Sequence, residues 1–176
     1  LADHLARDPD VSAELDALRE RRGQRRDLAI VDRLKLGRAR TIVDVGGGTG
    51  DLLALLLERD PALRGTLIEA PQVAARASIR LAARGLSPRC EVRPADARAE
   101  LPRGHDAYLL VEVLHCHEDR YALEILRRCV GRRVYVIERV LPASAGASAS
   151  FITSMCISAR KLALAPALAG STRSIT

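Results

Sequence analysis

The chain has 176 residues, 28 of them Lys or Arg against 22 Asp or Glu, with 48% hydrophobic residues, 28% charged residues and only three Tyr and one Phe as aromatics. That is one ordinary globular domain by length, and the composition excludes fibrous, collagenous and disulfide-stapled classes. The longest Leu/Ala block, Leu52–Leu57, is bounded by Asp51 and Glu58, well short of the roughly 18 to 20 apolar residues of a membrane span.

Elements follow in chain order from apolar periodicity and breakers. Residues 11–36 read as helical, with Leu28, Val31 and Leu34 on one apolar face suited to the sheet or a partner. Thr41–Val45 is a β-branched strand, followed by a glycine loop and a helix over Leu52–Arg59 that stops near Asp60-Pro61. Gly65–Glu69 is a second strand, and Pro71 suits the first turn of a helix through Val73–Arg84 that ends at Gly85. Cys90–Arg93, Ala107–Val113 and Val134–Arg139 are further strands, with a helix over Tyr121–Val130 between the last two. From Phe151 to Leu164 the apolar pattern is again helical. Strands separated by single helices in this rhythm give an α/β fold with a doubly wound, mostly parallel sheet.

Charge and cysteine usage narrow the partners. The positive excess is carried by Arg, since Lys35 and Lys161 are the only lysines. The densest run, Arg19 to Arg26, has no interleaved aromatic on which bases would stack, so a solvated helix face explains it better than a nucleic-acid surface. Cys90, Cys116, Cys129 and Cys156 form no CxxC pair, which fits reduced thiols in the cytoplasm. His115-Cys116-His117 invites a metal reading, but neighbours at a strand end point to different sides and no second ligand group follows, so no metal is expected. The chain begins at Leu1 with no charged-then-apolar leader, and the expectation is an internal piece of a longer protein.

The strongest local signal is Val43-Asp44-Val45-Gly46-Gly47-Gly48-Thr49-Gly50-Asp51, at the junction of the first strand and its helix. Glycines there let backbone N–H groups approach a ligand at a helix N-terminus. Gly46, Gly48 and Gly50 give GxGxG, whereas the dinucleotide fingerprint needs its third glycine where this chain has Asp51. An acid at that place opposes a pyrophosphate and fits a ligand without phosphate. Glu69 ends the second strand, at the height where an acid accepts both hydroxyls of a ribose, and Asp96 follows the third, where it can accept from an exocyclic amine. One exposed acid at a strand end means little. Asp44, Glu69 and Asp96 at successive carboxyl ends of one sheet converge on the place where ligands of this fold bind.

The block Thr41–Asp51, then Leu67-Ile68-Glu69-Ala70-Pro71-Gln72-Val73, Asp96 with Leu101-Pro102, Val113-Leu114-His115 with Asp119, and Val136-Ile137-Glu138-Arg139-Val140-Leu141-Pro142 resembles the S-adenosylmethionine-dependent small-molecule O-methyltransferases of plant phenylpropanoid and bacterial polyketide pathways. The resemblance implies a Rossmann-like class I methyltransferase domain with S-adenosylmethionine in the Gly46–Gly50 loop, its ribose at Glu69 and its adenine amine at Asp96. It further implies a homodimer acting on a small aromatic hydroxylated substrate of secondary metabolism. On this reading residues 1–36 are a helical linker, 37–142 the donor-binding core and 143–176 an incomplete helical segment on the acceptor side. On the same reading the family's N-terminal dimerisation domain and closing elements are expected to lie outside this sequence, with the domain truncated at both ends. Three departures stand out: Glu69 is usually Asp in this family, Ala97 and Arg98 replace large apolar residues that cover the adenine, and His117 stands where Trp is usual.

Methyl transfer to a phenol needs the acceptor oxygen in line and at least partly deprotonated. His115, just past the fourth strand, matches the family's general base, and Glu138, at the end of the fifth, is placed to hold the imidazole tautomer as carboxylates do in hydrolase triads. The competing role for His115 is a cap on the helix beginning near Asp119. If residues 170–173 form the family's Arg-containing turn, Thr172 occupies the place of its second carboxylate, and proximity alone then carries more of the rate. A donor-binding module without transfer is the alternative reading. Nucleic-acid methylation is disfavoured by the missing stacking aromatics.

Overall fold

The computed structural model describes residues 23–129, 133–140 and 151–158. Backbone over residues 23–33 is helical (α1). It is followed by β1 (Thr41–Val45), α2 (Asp51–Arg59), β2 (Arg64–Glu69), α3 (Pro71–Ala83), β3 (Cys90–Pro94), β4 (Ala107–Val111), a 3₁₀ turn at Leu114–Cys116, α4 (Asp119–Arg128), β5 (Arg133–Val140) and β6 (Phe151–Ser158). The described strands are hydrogen-bonded in the order β3-β2-β1-β4-β5-β6, and among them only β6 runs antiparallel, to β5.

Each element has a local cause. β1, β2 and β4 are apolar on both faces because helices cover both sides, so they show continuous burial instead of alternation. In α2 five residues, Leu52, Leu53, Ala54, Leu56 and Leu57, are buried, and Asp60 ends the helix in an extended conformation before Pro61. Pro71 occupies the first turn of α3, where its missing N–H costs nothing, and Ala74, Ala77 and Leu81 form its buried stripe. Small residues there let α3 lie close to the sheet.

Strand alternation sorts the core into two layers. One contains Ile42, Leu53, Leu57, Leu67, Leu81, Leu109 and Ile137, with Ile30 and Val31 of α1 packed into it. The other contains Val43, Val45, Ile68, Tyr108, Leu110, Ile125, Val134 and Val136. By the same period of two, Asp44 and Glu69 rise from the α1 side and Glu138 from the α4 side. The chain winds outward from β1 to β3 and returns to β4, so the order reverses between the neighbours β1 and β4, and a crevice opens at their carboxyl ends.

Two expectations are corrected. The face of α1 that meets the core is Asp27, Ile30, Val31 and Leu34, while Leu28 is 49% exposed. A helix advances about 100° per residue, which carries Leu28 off the stripe begun by Asp27. Phe151–Ser158 is an extended strand, not a helix, and pairs with β5 from Val140↔Phe151 to Arg133↔Ser158. Ile152, Thr153 and Ile157 are β-branched, and the open edge of β5 offers a ladder that outweighs a weak helical period. The helix expected beyond Ser158, and the turn containing Thr172, lie outside the described residues.

Candidate active site

The glycine loop leaves β1 and enters α2 through three left-handed residues, Gly46 (φ 66°), Gly48 (φ 60°) and Gly50 (φ 82°), the last being the helix N-cap. Gly46 N–H donates to Ile68 C=O at 2.8 Å, which ties the loop to the end of β2. A Cβ on Gly48 would meet nothing within 4 Å, so this side of the loop is open to a ligand. A Cβ on Gly47 would lie 2.3 Å from Asp44 Oδ2 and 2.5 Å from Leu67 Cδ1, so the loop sits directly on the Asp44 carboxyl.

Asp44 is 1% exposed and, among the described residues, neither of its carboxyl oxygens has a hydrogen-bond partner. Burial, reinforced by the Asp27 and Glu69 carboxylates and opposed by Arg26, pushes it up to about 7 from its ordinary 3.8. The linkage sign follows directly. Between pH 4 and 7 the unfolded chain has lost this proton while the folded chain keeps it, so the Asp44 contribution to stability is complete below pH 4 and is lost as pH rises through 7. Asp44→Asn, which keeps the shape without the charge, should flatten this slope and melt higher than the parent above pH 7. Thermal melts from pH 4 to 8 check it, and parallel curves for the two proteins would refute it.

Glu69 lies at the carboxyl end of β2 as expected, with Oε2 accepting Gly48 N–H at 3.0 Å and Oε1 accepting Ala70 N–H at 2.7 Å. It clasps the loop. Asp96 sits after β3, but its carboxylate is forked onto Arg98, with Nη2 to Oδ2 at 2.6 Å and Nε to Oδ1 at 3.0 Å. That guanidinium holds the Asp96 carboxyl below its usual range, and Arg98 also stands 5.5 Å from the Tyr121 ring centroid. Asp51 opens α2, accepts from Thr49 Oγ1 at 2.7 Å and pairs with Arg80 at 3.0 Å. A ligand phosphate at this helix end would meet that carboxylate.

His115 and Glu138 meet as expected. Glu138 Oε1 accepts the N–H groups of Val113 and Leu114 at 2.8 and 2.7 Å, which fixes the entry to the 3₁₀ turn. Its Oε2 contacts His115 Nδ1 at 2.7 Å, so Nδ1 carries the hydrogen and Nε2 keeps its lone pair. The imidazole is 47% exposed and the carboxylate 13%, a partly buried anchor holding a reachable base. A Cβ on Gly46 would lie 2.9 Å from Val113 Cγ2, so the turn that carries the base abuts the glycine loop. Consecutive side chains on this turn do not diverge as on a strand: Cys116 Sγ is 3.4 Å from His115 Nε2. His117 ends the turn, its N–H donating to Leu114 C=O at 3.1 Å.

Three participants had no sequence signal. Arg26 of α1 donates to both Asp27 Oδ1 and Glu112 Oε2, bridging α1 to the end of β4. Glu112 is left-handed (φ 56°), an uncommon backbone for a side-chain-bearing residue. Burial holds Asp27 above the ordinary carboxylate range despite Arg26. A lone Arg in an Arg-rich helix gives no cue to a partner 86 positions away.

A doubly wound sheet whose β1–α2 glycine loop rests on a buried acid, with a ribose-height acid on β2, defines a nucleoside-binding class I methyltransferase fold. The chain belongs to the O-methyltransferase domain family, which it matches over residues 3–168. It is 42% identical over 119 residues to the mitomycin biosynthesis 6-O-methyltransferase of Streptomyces lavendulae, covering 65% of this chain and 34% of that protein. At the same 42% over 119 residues it resembles the aclacinomycin 10-hydroxylase of Streptomyces purpurascens, covering 65% of this chain and 32% of that protein. Among solved structures, an O-methyltransferase from neocarzinostatin biosynthesis, in complex with S-adenosylmethionine and 2-hydroxy-5-methyl naphthoic acid, superposes with a TM-score of 0.73 at 36% identity over 78% of this chain and 44% of that one. The chain thus spans about a third of the length of these curated relatives.

Proposed function

We propose that the whole protein transfers a methyl group from S-adenosylmethionine to a phenolic hydroxyl of a small aromatic natural product. The observation that carries the reading is the His115 Nδ1–Glu138 Oε2 pair at 2.7 Å on the turn that abuts the glycine loop. Because a hydroxylase and a methyltransferase both match this chain at 42% identity, overall identity does not choose between reactions, and the oriented base is what supports methyl transfer.

The donor fits the residues present. Asp44, buried and without a hydrogen-bond partner among the described residues, and Glu69 both lie against the glycine loop, a setting that suits a cationic donor and disfavours a phosphate. Gly46, Gly48 and Gly50 would hold the donor's backbone-facing edge, Glu69 its ribose hydroxyls and Asp96 its exocyclic amine, the last in competition with Arg98. When bound, the donor supplies an electrophilic sulfonium methyl. His115 Nε2 accepts the phenol proton, and Glu138 keeps the tautomer and stabilises the imidazolium. The supporting likeness for the acceptor is the naphthoic acid held by the neocarzinostatin-pathway structure.

Turnover of a panel of phenols and naphthols, set beside donor binding by calorimetry, tests the reading. Methylation of any panel member supports it; donor binding without transfer across the panel replaces it with the non-catalytic module. Glu69→Ala should weaken donor binding by a few kcal/mol at most, because neutral hydroxyls lose one bidentate acceptor.

The whole protein is further read as a cytoplasmic homodimer, with residues 37–142 as its donor-binding core and 143–176 contributing to the acceptor side. Buried Cys90 and Cys129 fit a reducing compartment, and the 49% exposed Leu28 on α1 fits a covered helix face. Sedimentation equilibrium of the full-length protein should give twice the protomer mass; a monomer at micromolar concentration would contradict this.

A further inference from the structure

The 3₁₀ turn carries a nucleophile that methyl transfer does not use. Cys116 is exposed, its sulfur is 3.4 Å from His115 Nε2, and His115 Nδ1 is held at 2.7 Å by Glu138. Nucleophile, base and orienting carboxylate stand in the relation that activates weak nucleophiles. Glu138 fixes the arrangement twice, since its other oxygen takes the amides of Val113 and Leu114 at the start of the turn.

We propose that Cys116 is a site of covalent modification by conjugate acceptors such as enones and quinones, with its thiol activated by the His115–Glu138 pair. The step balances without an added oxidant. The S–H proton passes to His115 Nε2, and the sulfur electron pair forms a C–S bond to the β-carbon of the acceptor. The C=C pair moves onto the carbonyl oxygen, and the enolate recovers the proton from the imidazolium, so that S–H has added across the double bond. Modification places the adduct on the sulfur 3.4 Å from the ring nitrogen that accepts the phenol proton, which links this chemistry to the active site. Cys90 and Cys129 are built the opposite way: both are buried, and burial pushes their thiols up to about 11 and about 12.

The probe is N-ethylmaleimide on the full-length protein, with labelling of each cysteine followed by peptide mass mapping from pH 6 to 8. Thiolate fraction sets the rate of an ordinary thiol, which therefore climbs about tenfold per pH unit in this range. Cys116 is expected to label with a pH profile shallower than tenfold per unit and at least about tenfold faster at pH 6.5 than in His115→Asn, which should restore the steep profile. Glu138→Gln should lie between them. Slow labelling of Cys90 and Cys129 reports that each variant remains folded. A tenfold-per-unit climb for Cys116 in the wild-type protein overturns the proposal whatever the variants do, as does an unchanged rate in folded His115→Asn.

Discussion

His115→Ala in the full-length protein is expected to lower turnover by roughly 10²- to 10⁴-fold with little change in donor affinity. The size follows from the role: a phenol near pKa 10 is almost wholly protonated at neutral pH, and the only imidazole with its tautomer fixed at this end of the sheet, among the described residues, is His115. Donor affinity should persist because the imidazole makes no hydrogen bond to the glycine loop, Glu69 or Asp96, its partners being Glu138 and Cys116. The loss should shrink as pH approaches the phenol pKa, since hydroxide then does the work of the base. Glu138→Gln is the cross-check. It leaves the turn packed but replaces an anion that accepts from Nδ1–H and from two backbone amides with a group that must turn a donor toward one of them. Turnover should fall for that variant too, and by less than for His115→Ala. If positioning of the acceptor supplies the rate instead, the His115→Ala loss is tenfold or less and flat with pH. Near-normal turnover from pH 6 to 9 would overturn the base assignment.

The parts legible in the sequence were those written in short range. Thr41–Val45 followed by GxGxG announces a strand, a tight loop and a helix start, because left-handed and close-approach positions tolerate only glycine. Glu69, Asp96 and Glu138 were found by counting to strand ends, a rule that depends on the parallel sheet and not on any side chain. What escaped was long-range or a matter of balance. The strap from Arg26 to Glu112 joins elements 86 positions apart, and nothing in an Arg-rich helix marks one Arg as paired. Arg98 was legible as an odd neighbour for an adenine, but its fork onto Asp96 depends on a turn that places residues two apart side by side. The contact of Cys116 with His115 required a 3₁₀ turn where a strand end had been expected. Phe151–Ser158 was misread because an eight-residue apolar run has no decisive period, and the edge of β5 decided its conformation.

Gly47→Ala is the second substitution with a large expected effect, although Gly47 is the glycine of the loop that keeps a negative φ. Its added methyl would lie 2.3 Å from Asp44 Oδ2, 2.5 Å from Asp44 Cγ and 2.5 Å from Leu67 Cδ1. Neither neighbour can yield: Asp44 is 1% and Leu67 0% exposed, and Leu67 is wedged among the residues that bind α2 and α3 to the sheet. The loop must therefore lift. Overpacking of this kind costs about 1–3 kcal/mol of stability, but donor affinity should suffer more, falling about a hundredfold, because lifting the loop misdirects the amides around Gly48 and breaks the 3.0 Å bond from Gly48 N–H to Glu69. Gly48→Ala separates the two effects. Its methyl would meet nothing within 4 Å, so stability should drop only by the left-handed penalty of about 1–2 kcal/mol, while the methyl projects toward the ligand side and obstructs binding. Melting temperature and donor affinity measured together on both variants resolve the matter, since a Gly47→Ala protein that melts with the parent and binds donor as tightly would show that the loop does not rest on Asp44.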